Sequence, residues 1–476
     1  MTMLWSHAAL MAGLDASLVG AAPSGVAGMS IDTRTLEPAD LFFALQGEAR
    51  DGHGFVEAAL GKGAAAAVVT ASNVDALKGF GPLYVVDDVL AAMERLGCAS
   101  RARMKGRVAA ITGSVGKTST KEALRHVLSR QGITHASVAS YNNHWGVPLT
   151  LARMPADADF GVFEIGMNHP FEILPLTHMV RPEVAIVTTV EPVHLEHFSG
   201  LEAIVDAKGE IFSGLLPGGT AIINRDNPQF TRQKAHALAS AAGRILTFGE
   251  HEDADVRLLK IALTADRSVI AARVLGKEVN LQVGAPGKHM ALNALSVMAA
   301  SEALGADLAL TALALADLAA GSGRGQRSTL HAPGGDFTLL DESYNANPAS
   351  MRASLALLAQ LPVGLRGRRI AVLGDMLELG PTGPDMHRAL VESIDANAID
   401  LVFASGPLMK SLWLALSSER RGAYAETSAE LQAAVLDAVR ADDAVMIKGS
   451  LGSRMGPIVA ALKSRYRVND SETIRA

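Results

Sequence analysis

The segment VAAITGSVGKTSTKEAL holds the residue types best suited to chemistry. Gly113 and Gly116 allow a tight backbone curl whose N–H groups point inward. Lys117 can reach the β- and γ-phosphates of a nucleotide, and the Thr118 hydroxyl can ligate Mg2+. Ser114 and Val115 complete the turn, and Ser119 continues a helix whose N-terminus adds a partial positive charge. Ile111 stands where the wider P-loop pattern has its first glycine, so the string is the shorter G-x-x-G-K-T. A surface turn is the other reading. The apolar run before the loop and the helical pattern after it favour a nucleotide phosphate site.

In open α/β sheets, ligands gather at the carboxyl ends of the strands. FGVFEI ends in Glu164, followed by Gly166, Met167 and Asn168. VAIVTTV is followed by Glu191, His194, Glu196 and His197. Glu164 and His194 are candidate Mg2+ ligands, and a hard cation prefers the carboxylate. A helix cap is the alternative for Glu164, and a buried, satisfied histidine for His194. In LEAIVDAKGEIFSGL, Ile204, Ile211 and Leu215 form one helical stripe, and Lys208 falls on it. An inward lysine must pair, snorkel to water or lose its charge. A neutral amine can take up CO2 as a carbamate, which would offer oxygens to a second Mg2+.

These residues need a parallel sheet beneath them, and the rest of the chain supplies one. With 476 residues, about three domains are expected. VAAIT, FGVFEI, VAIVTTV and TAIIN are short apolar runs of the kind buried parallel strands require. FTLLDE, RIAVLGD, LVFASG and AVMIKG repeat the pattern in a last block. The expected limits are 1–105, 106–321 and 322–476, with AAGSGRGQ as the junction of the last two. The first twenty residues read as an ordinary helix, and the stretch from Ala299 to Ala320 as a soluble one, since Glu302, Asp307 and Asp317 interrupt it.

A net charge of −6 without a Lys/Arg block disfavours a nucleic-acid binder. The single cysteine, Cys98, excludes an internal disulfide and fits a reducing, cytoplasmic setting.

TGSVGKTSTKE, YNNHWGVPLTL, FEIGMNHPFEI, HLEHFSGLEAIVDAKGEIF, LDESYNANPASM and AVLGDMLELG together resemble the Mur ligases. The similarity runs from SIDTRTLEPADLFFALQG to KGSLGSRM. It implies an α/β fold of three domains: an N-terminal UDP-substrate domain, a central P-loop ATPase domain with a mostly parallel sheet, and a C-terminal Rossmann-like domain. It also implies ATP and Mg2+ as cofactors. Gly113 to Ser119 would hold the ATP phosphates, with Thr118, Glu164 and His194 around Mg2+ and Lys208 as the lysine carbamylated in many members. Lys117, Lys208 and His194 would serve the reaction itself. His289 and Asn293, in GKHMALNAL, match residues near the nucleotide, with Met290 where the family usually has Asn. Arg324 and Asn345 would reach ATP from the C-terminal domain, and Asp32, Thr33 and Arg34 would meet the UDP moiety.

DESYNANP and NNHWGVPLT point to the branch that ligates D-Ala-D-Ala to UDP-MurNAc-tripeptide, a cytoplasmic step of peptidoglycan synthesis. The implied enzyme is a monomer that binds no nucleic acid and does not insert in a membrane. One alternative is a Mur-type ligase adding a single amino acid. Another is a P-loop regulatory protein that ligates nothing.

Overall fold

A computed structural model describes residues 2–138, 140–193, 195–264, 266–321 and 323–468. Three main sheets follow one another along the chain. The first has five strands, in the order Ser17–Val19, Leu83–Val86, Ala66–Thr70, Asp40–Phe43, Gly28–Ser30, and only the first of these pairs antiparallel. The opening residues are less helical than their composition suggests. Trp5–Ser6 pairs antiparallel with Gly25–Val26, and the helix is only His7–Leu14, capped by Ser6.

The second sheet has nine strands, ordered Lys277–Val283, Ser268–Val274, Val256–Leu263, Arg244–Gly249, Thr220–Asn224, Val184–Val187, Arg107–Thr112, Phe160–Glu164, Thr134–Ala136. Seven strands, from Val256–Leu263 to Thr134–Ala136, run parallel. The other two fold back as an antiparallel ribbon. Period-two geometry divides the buried strand Arg107–Thr112 between two cores. Ala109 and Ile111 join Leu124, Leu295 and Met298 on one face, and Val108 and Ala110 join Phe163, Ile204 and Phe212 on the other. The helices Lys117–Leu128 and Lys288–Ala303 therefore cover one face, and Ile173–Val180 and Leu201–Gly209 the other. The stretch expected as a single helix from Ala299 is broken. Gly305 adopts φ +76°, a left-handed stop, and Asp307 caps a new helix, Leu308–Ala316.

The third sheet is ordered Arg421–Ala425, Leu401–Ser405, Arg369–Gly374, Ala444–Lys448, Gly335–Glu342, Gln326–Ala332, Arg467–Val468. Its first five strands are parallel and its last two antiparallel. Apolar cores on both faces give it the doubly wound form expected of this block.

The first two sheets are fused through helices. Val89–Arg103 packs on Gly146–Ala152, and Leu149 and Ala152 belong to the core of the first sheet. A Cβ on Gly97 would lie 3.1 Å from Pro148 O and 3.2 Å from Leu151 Cβ, so the missing side chain allows the close crossing. Arg101 fastens the seam by donating to the carbonyls of Val180 and Arg181 and to Glu183. No helix among the described residues is long and apolar enough to cross a membrane.

Candidate active site

The strand Arg107–Thr112 feeds the glycine loop directly into the helix Lys117–Leu128. Gly113 (φ +148°) and Gly116 (φ +87°) both adopt conformations that side chains resist. At Gly113 an added Cβ would sit 2.0 Å from Thr188 Oγ1; at Gly116 it would meet the Asn293 amide at 2.9 Å. Neighbouring strands brace the loop. Ser114 N donates to Thr189 O, Ser114 Oγ and Glu191 exchange hydrogen bonds, and Thr188 Oγ1 donates to Val115 O at 2.6 Å. Lys117 Nζ donates to Gly113 O at 2.7 Å, which holds the ammonium over the loop. Burial pushes this ammonium below the usual lysine range, Glu164 opposes the shift, and Arg324 adds to it. Val115 and Ser119 are half-buried beside these groups.

Glu164 ends the strand next to the loop and is 1% exposed. Its carboxylate accepts from Thr118 Oγ1 at 2.7 Å and from Asn142 Nδ2 at 2.8 Å. Gly166 N in turn donates to Asn142 O at 2.8 Å, which ties that amide to the loop after the strand. An acidic oxygen pair and a hydroxyl, both buried at a helix N-terminus, form an oxygen donor set suited to a hard divalent cation. His194 lies outside the described residues.

Lys208 sits on the helix Leu201–Gly209, with Ile204 on its inward stripe as the spacing requires, and is 1% exposed. Burial lowers its pKa well below the ordinary lysine value, and the charge of Lys117 lowers it further. The amine is thus within electrostatic reach of the glycine loop and biased toward its neutral, nucleophilic form.

His289 and Asn293 lie one turn apart on the helix Lys288–Ala303, and Asn293 abuts Gly116. Met290 is buried in the core of the second sheet instead. Burial holds His289 below the usual histidine range; Glu342 opposes this shift and Lys448 reinforces it. Glu342 and Lys448 belong to the third sheet, where they are register partners. Lys448 Nζ donates to Asn345 O at 2.9 Å and lies 3.4 Å from Glu342 Oε2. Burial also keeps its pKa low, Glu342 opposing and Arg324 adding to the effect. Arg324 is within electrostatic reach of both Lys117 and Lys448, Glu164 of the first and Glu342 of the second, so charged groups of both signs face one another between the two sheets.

Asp32, Thr33 and Arg34 lie apart from this cluster, on a loop after Gly28–Ser30 in the first sheet. Arg34 grips Asp32 at 2.6 Å and holds its carboxyl below the usual range, while Lys62 Nζ donates to Thr33 O. Arg34 is within electrostatic reach of Tyr141, which borders the Asn142 segment.

Three regions match family models. Residues 25–96 match the Mur ligase family catalytic domain, 111–301 the Mur ligase middle domain, and 324–451 the Mur ligase glutamate ligase domain. The UDP-N-acetylmuramoyl-tripeptide–D-alanyl-D-alanine ligase of Escherichia coli (strain K12) is 34% identical over 91% of this chain and 93% of its own. The enzyme of the same name from Rickettsia prowazekii is 31% identical over 90% and 94%. The chain belongs to the Mur ligase family. A crystal structure of MurF from Acinetobacter baumannii superposes with a TM-score of 0.83 at 28% identity, covering 97% of this chain and 99% of that one. MurF ligase from Thermotoga maritima in complex with ADP shares the fold, with a TM-score of 0.75 at 23% identity over 92% and 98% of the two chains.

Several groups in this Mur ligase carry little individual signal in the sequence. Asn142 steadies Glu164, and its only signal is the Asn pair before GVP. Lys448 closes an apolar strand, a place where a charge is unexpected without a partner. Asp341 is 4% exposed; its carboxylate accepts from Gly323 N and Ser343, and its carbonyl accepts from Gly325 N. This Mur ligase therefore bolts its Gly323–Gly325 turn to the third sheet.

Proposed function

We propose that this chain joins D-Ala-D-Ala to UDP-MurNAc-tripeptide at the expense of ATP, giving UDP-MurNAc-pentapeptide, ADP and phosphate. One observation carries the reading. What supports it is that Thr118 of the glycine loop bonds Glu164, that Lys117 is within electrostatic reach of Lys208 and Arg324, and that Lys448 donates to Asn345 O beside them.

A carboxylate is a poor acylating agent, so a terminal carboxylate oxygen of the tripeptide first attacks the γ-phosphorus of ATP. A new P–O bond forms, the bond from that phosphorus to the β–γ bridging oxygen breaks, and ADP leaves an acyl phosphate behind. The amine nitrogen of D-Ala-D-Ala attacks the acyl carbon. A C–N bond forms, the C–O bond to phosphate breaks, and the amine proton leaves to solvent. The loop from Gly113 to Ser119 cradles the phosphates with its backbone, and Lys117 neutralises charge that develops on the transferring oxygens. Thr118, Glu164 and His194 would hold one Mg2+, and Lys208, on its carbamate oxygens, would serve a second. Bound there, the cation supplies electrostatic stabilisation of phosphoryl oxygens. His289, Asn293, Arg324 and Asn345 orient the nucleotide, and Asp32, Thr33 and Arg34 receive the UDP end of the donor. Apposition of the third sheet on the second keeps water from the acyl phosphate.

We place the domain limits near residues 105 and 321, giving a UDP-substrate domain at 1–105, an ATP-binding ligase domain at 106–321 and a Rossmann-like domain at 322–476. The deciding experiment is phosphate release measured with UDP-MurNAc-tripeptide and either D-Ala-D-Ala or single amino acids. Turnover that requires the dipeptide supports the proposal; equal turnover with a single amino acid overturns it.

A further inference from the structure

Arg324, on the glycine turn that leads into the third sheet, is a cation whose charge reaches both Lys117 and Lys448. A flexible side chain on a glycine turn would place that charge poorly. The neighbouring Tyr344 corrects this. Tyr344 N donates to Gly323 O at 3.1 Å, and a Cβ on Gly323 would lie 3.0 Å from Tyr344 Cβ, so ring and turn are packed together. The Arg324 guanidinium lies 3.9 Å from the centre of the Tyr344 ring, a cation–π stack. The Tyr344 hydroxyl then crosses to the second sheet's domain and bonds Ser140 Oγ, to which Arg324 Nη2 also donates at 3.5 Å. Ser140 stands two residues before Asn142, the amide that steadies Glu164.

We propose that Tyr344 is a positioning residue that couples the seating of the C-terminal domain to the placement of Arg324. The ring carries the guanidinium, and the hydroxyl engages Ser140 only when that domain rests against the segment holding Asn142. Arg324 is then presented to the phosphates in the seated state and not otherwise. This rests on the ligase reading given above and adds to it a residue that acts through another.

The test compares Tyr344→Phe, Ser140→Ala and the double variant, with Tyr344→Leu as the variant that also loses the stack. Loss of one such hydrogen bond is expected to lower kcat about tenfold in each single variant, with the KM for ATP near that of the unaltered chain. The double variant should be no slower than Ser140→Ala, which already removes the Tyr344 bond together with the Arg324 Nη2 contact. Tyr344→Leu should fall further. Small-angle scattering with AMP-PNP and UDP-MurNAc-tripeptide gives a second readout: the unaltered chain contracts, and Tyr344→Phe contracts less. Normal kcat in Tyr344→Phe, or losses that multiply in the double variant, would overturn the coupling. Should the unaltered chain release no phosphate with the dipeptide, the ligase reading fails by itself, and scattering still decides whether Tyr344 controls domain seating.

Discussion

Thr118 Oγ1 and Glu164 Oε2 lie 2.7 Å apart, one from the first turn of a helix and the other from the end of the adjacent strand. Neither could reach the other without the parallel pairing of Phe160–Glu164 with Arg107–Thr112, which sets Glu164 level with Ile111. Glu164→Gln keeps the shape and removes the charge. It should lower kcat by about 10²–10³, the usual loss for one electrostatic group in a closed site, and raise the Mg2+ concentration needed for half-maximal turnover. Phosphate release titrated with Mg2+ checks both, and an unchanged midpoint would remove Glu164 from the metal site.

Lys208 makes a prediction about pH. Its pKa is lower in the folded chain than the ordinary value of 10.5, so between those two values the unfolded state binds more protons. Stability from this group therefore rises with pH through that window. Lys208→Met should be the more stable form at neutral pH in CO2-depleted buffer, and its advantage should shrink as pH approaches the ordinary lysine value. Thermal unfolding of the pair across pH measures this. A constant difference would mean that the amine is not desolvated.

The same residue can be probed by chemical rescue. Lys208→Ala should lose nearly all turnover, and a short carboxylic acid should restore part of it by standing in for the carbamate. Normal turnover without the acid would show that no carbamate is needed.

The two loop glycines should differ in sensitivity. Gly113→Ala pushes a methyl into Thr188 Oγ1, which braces the loop through Val115 O. Gly116→Ala meets only the end of the Asn293 side chain. Both also incur a left-handed penalty of about 1–2 kcal/mol. ATP affinity by calorimetry should fall more for Gly113→Ala, and adding Thr188→Ala should recover part of the loss.

Asp341→Ala would leave the Gly323 and Ser343 N–H groups without their carboxylate, at a cost of about 1–3 kcal/mol. A lower Tm together with a fall in kcat would show that the Gly323–Gly325 turn must be held for turnover. A lower Tm with normal kcat would restrict Asp341 to stability.

Much of this was legible in the sequence. The glycine loop, the acidic strand end and the inward lysine each announce themselves locally, because strand and helix periodicity dictate where those side chains point. The partners of these groups were not legible. Asn142 meets Glu164 from 22 positions away, and Ser140 meets Tyr344 from 204. Such pairs depend on how loops and domains are set against one another, which no period in the chain encodes. The antiparallel ribbon from Val256 to Val283 also escaped notice, although its alternating burial is the ordinary mark of a one-sided sheet. The broken helix at Gly305 shows the converse: composition suggested continuity, and one backbone angle ended it.

The close crossing at Gly97 bears on engineering. Leu96 and Met93 share an interior with Leu149 and Ala152, so a cut near residue 105 would split a single packing unit in two. Chimeras that exchange the first sheet for that of a relative would have to transplant both helices of the crossing together, and a cassette ending near residue 105 would arrive with a mismatched face.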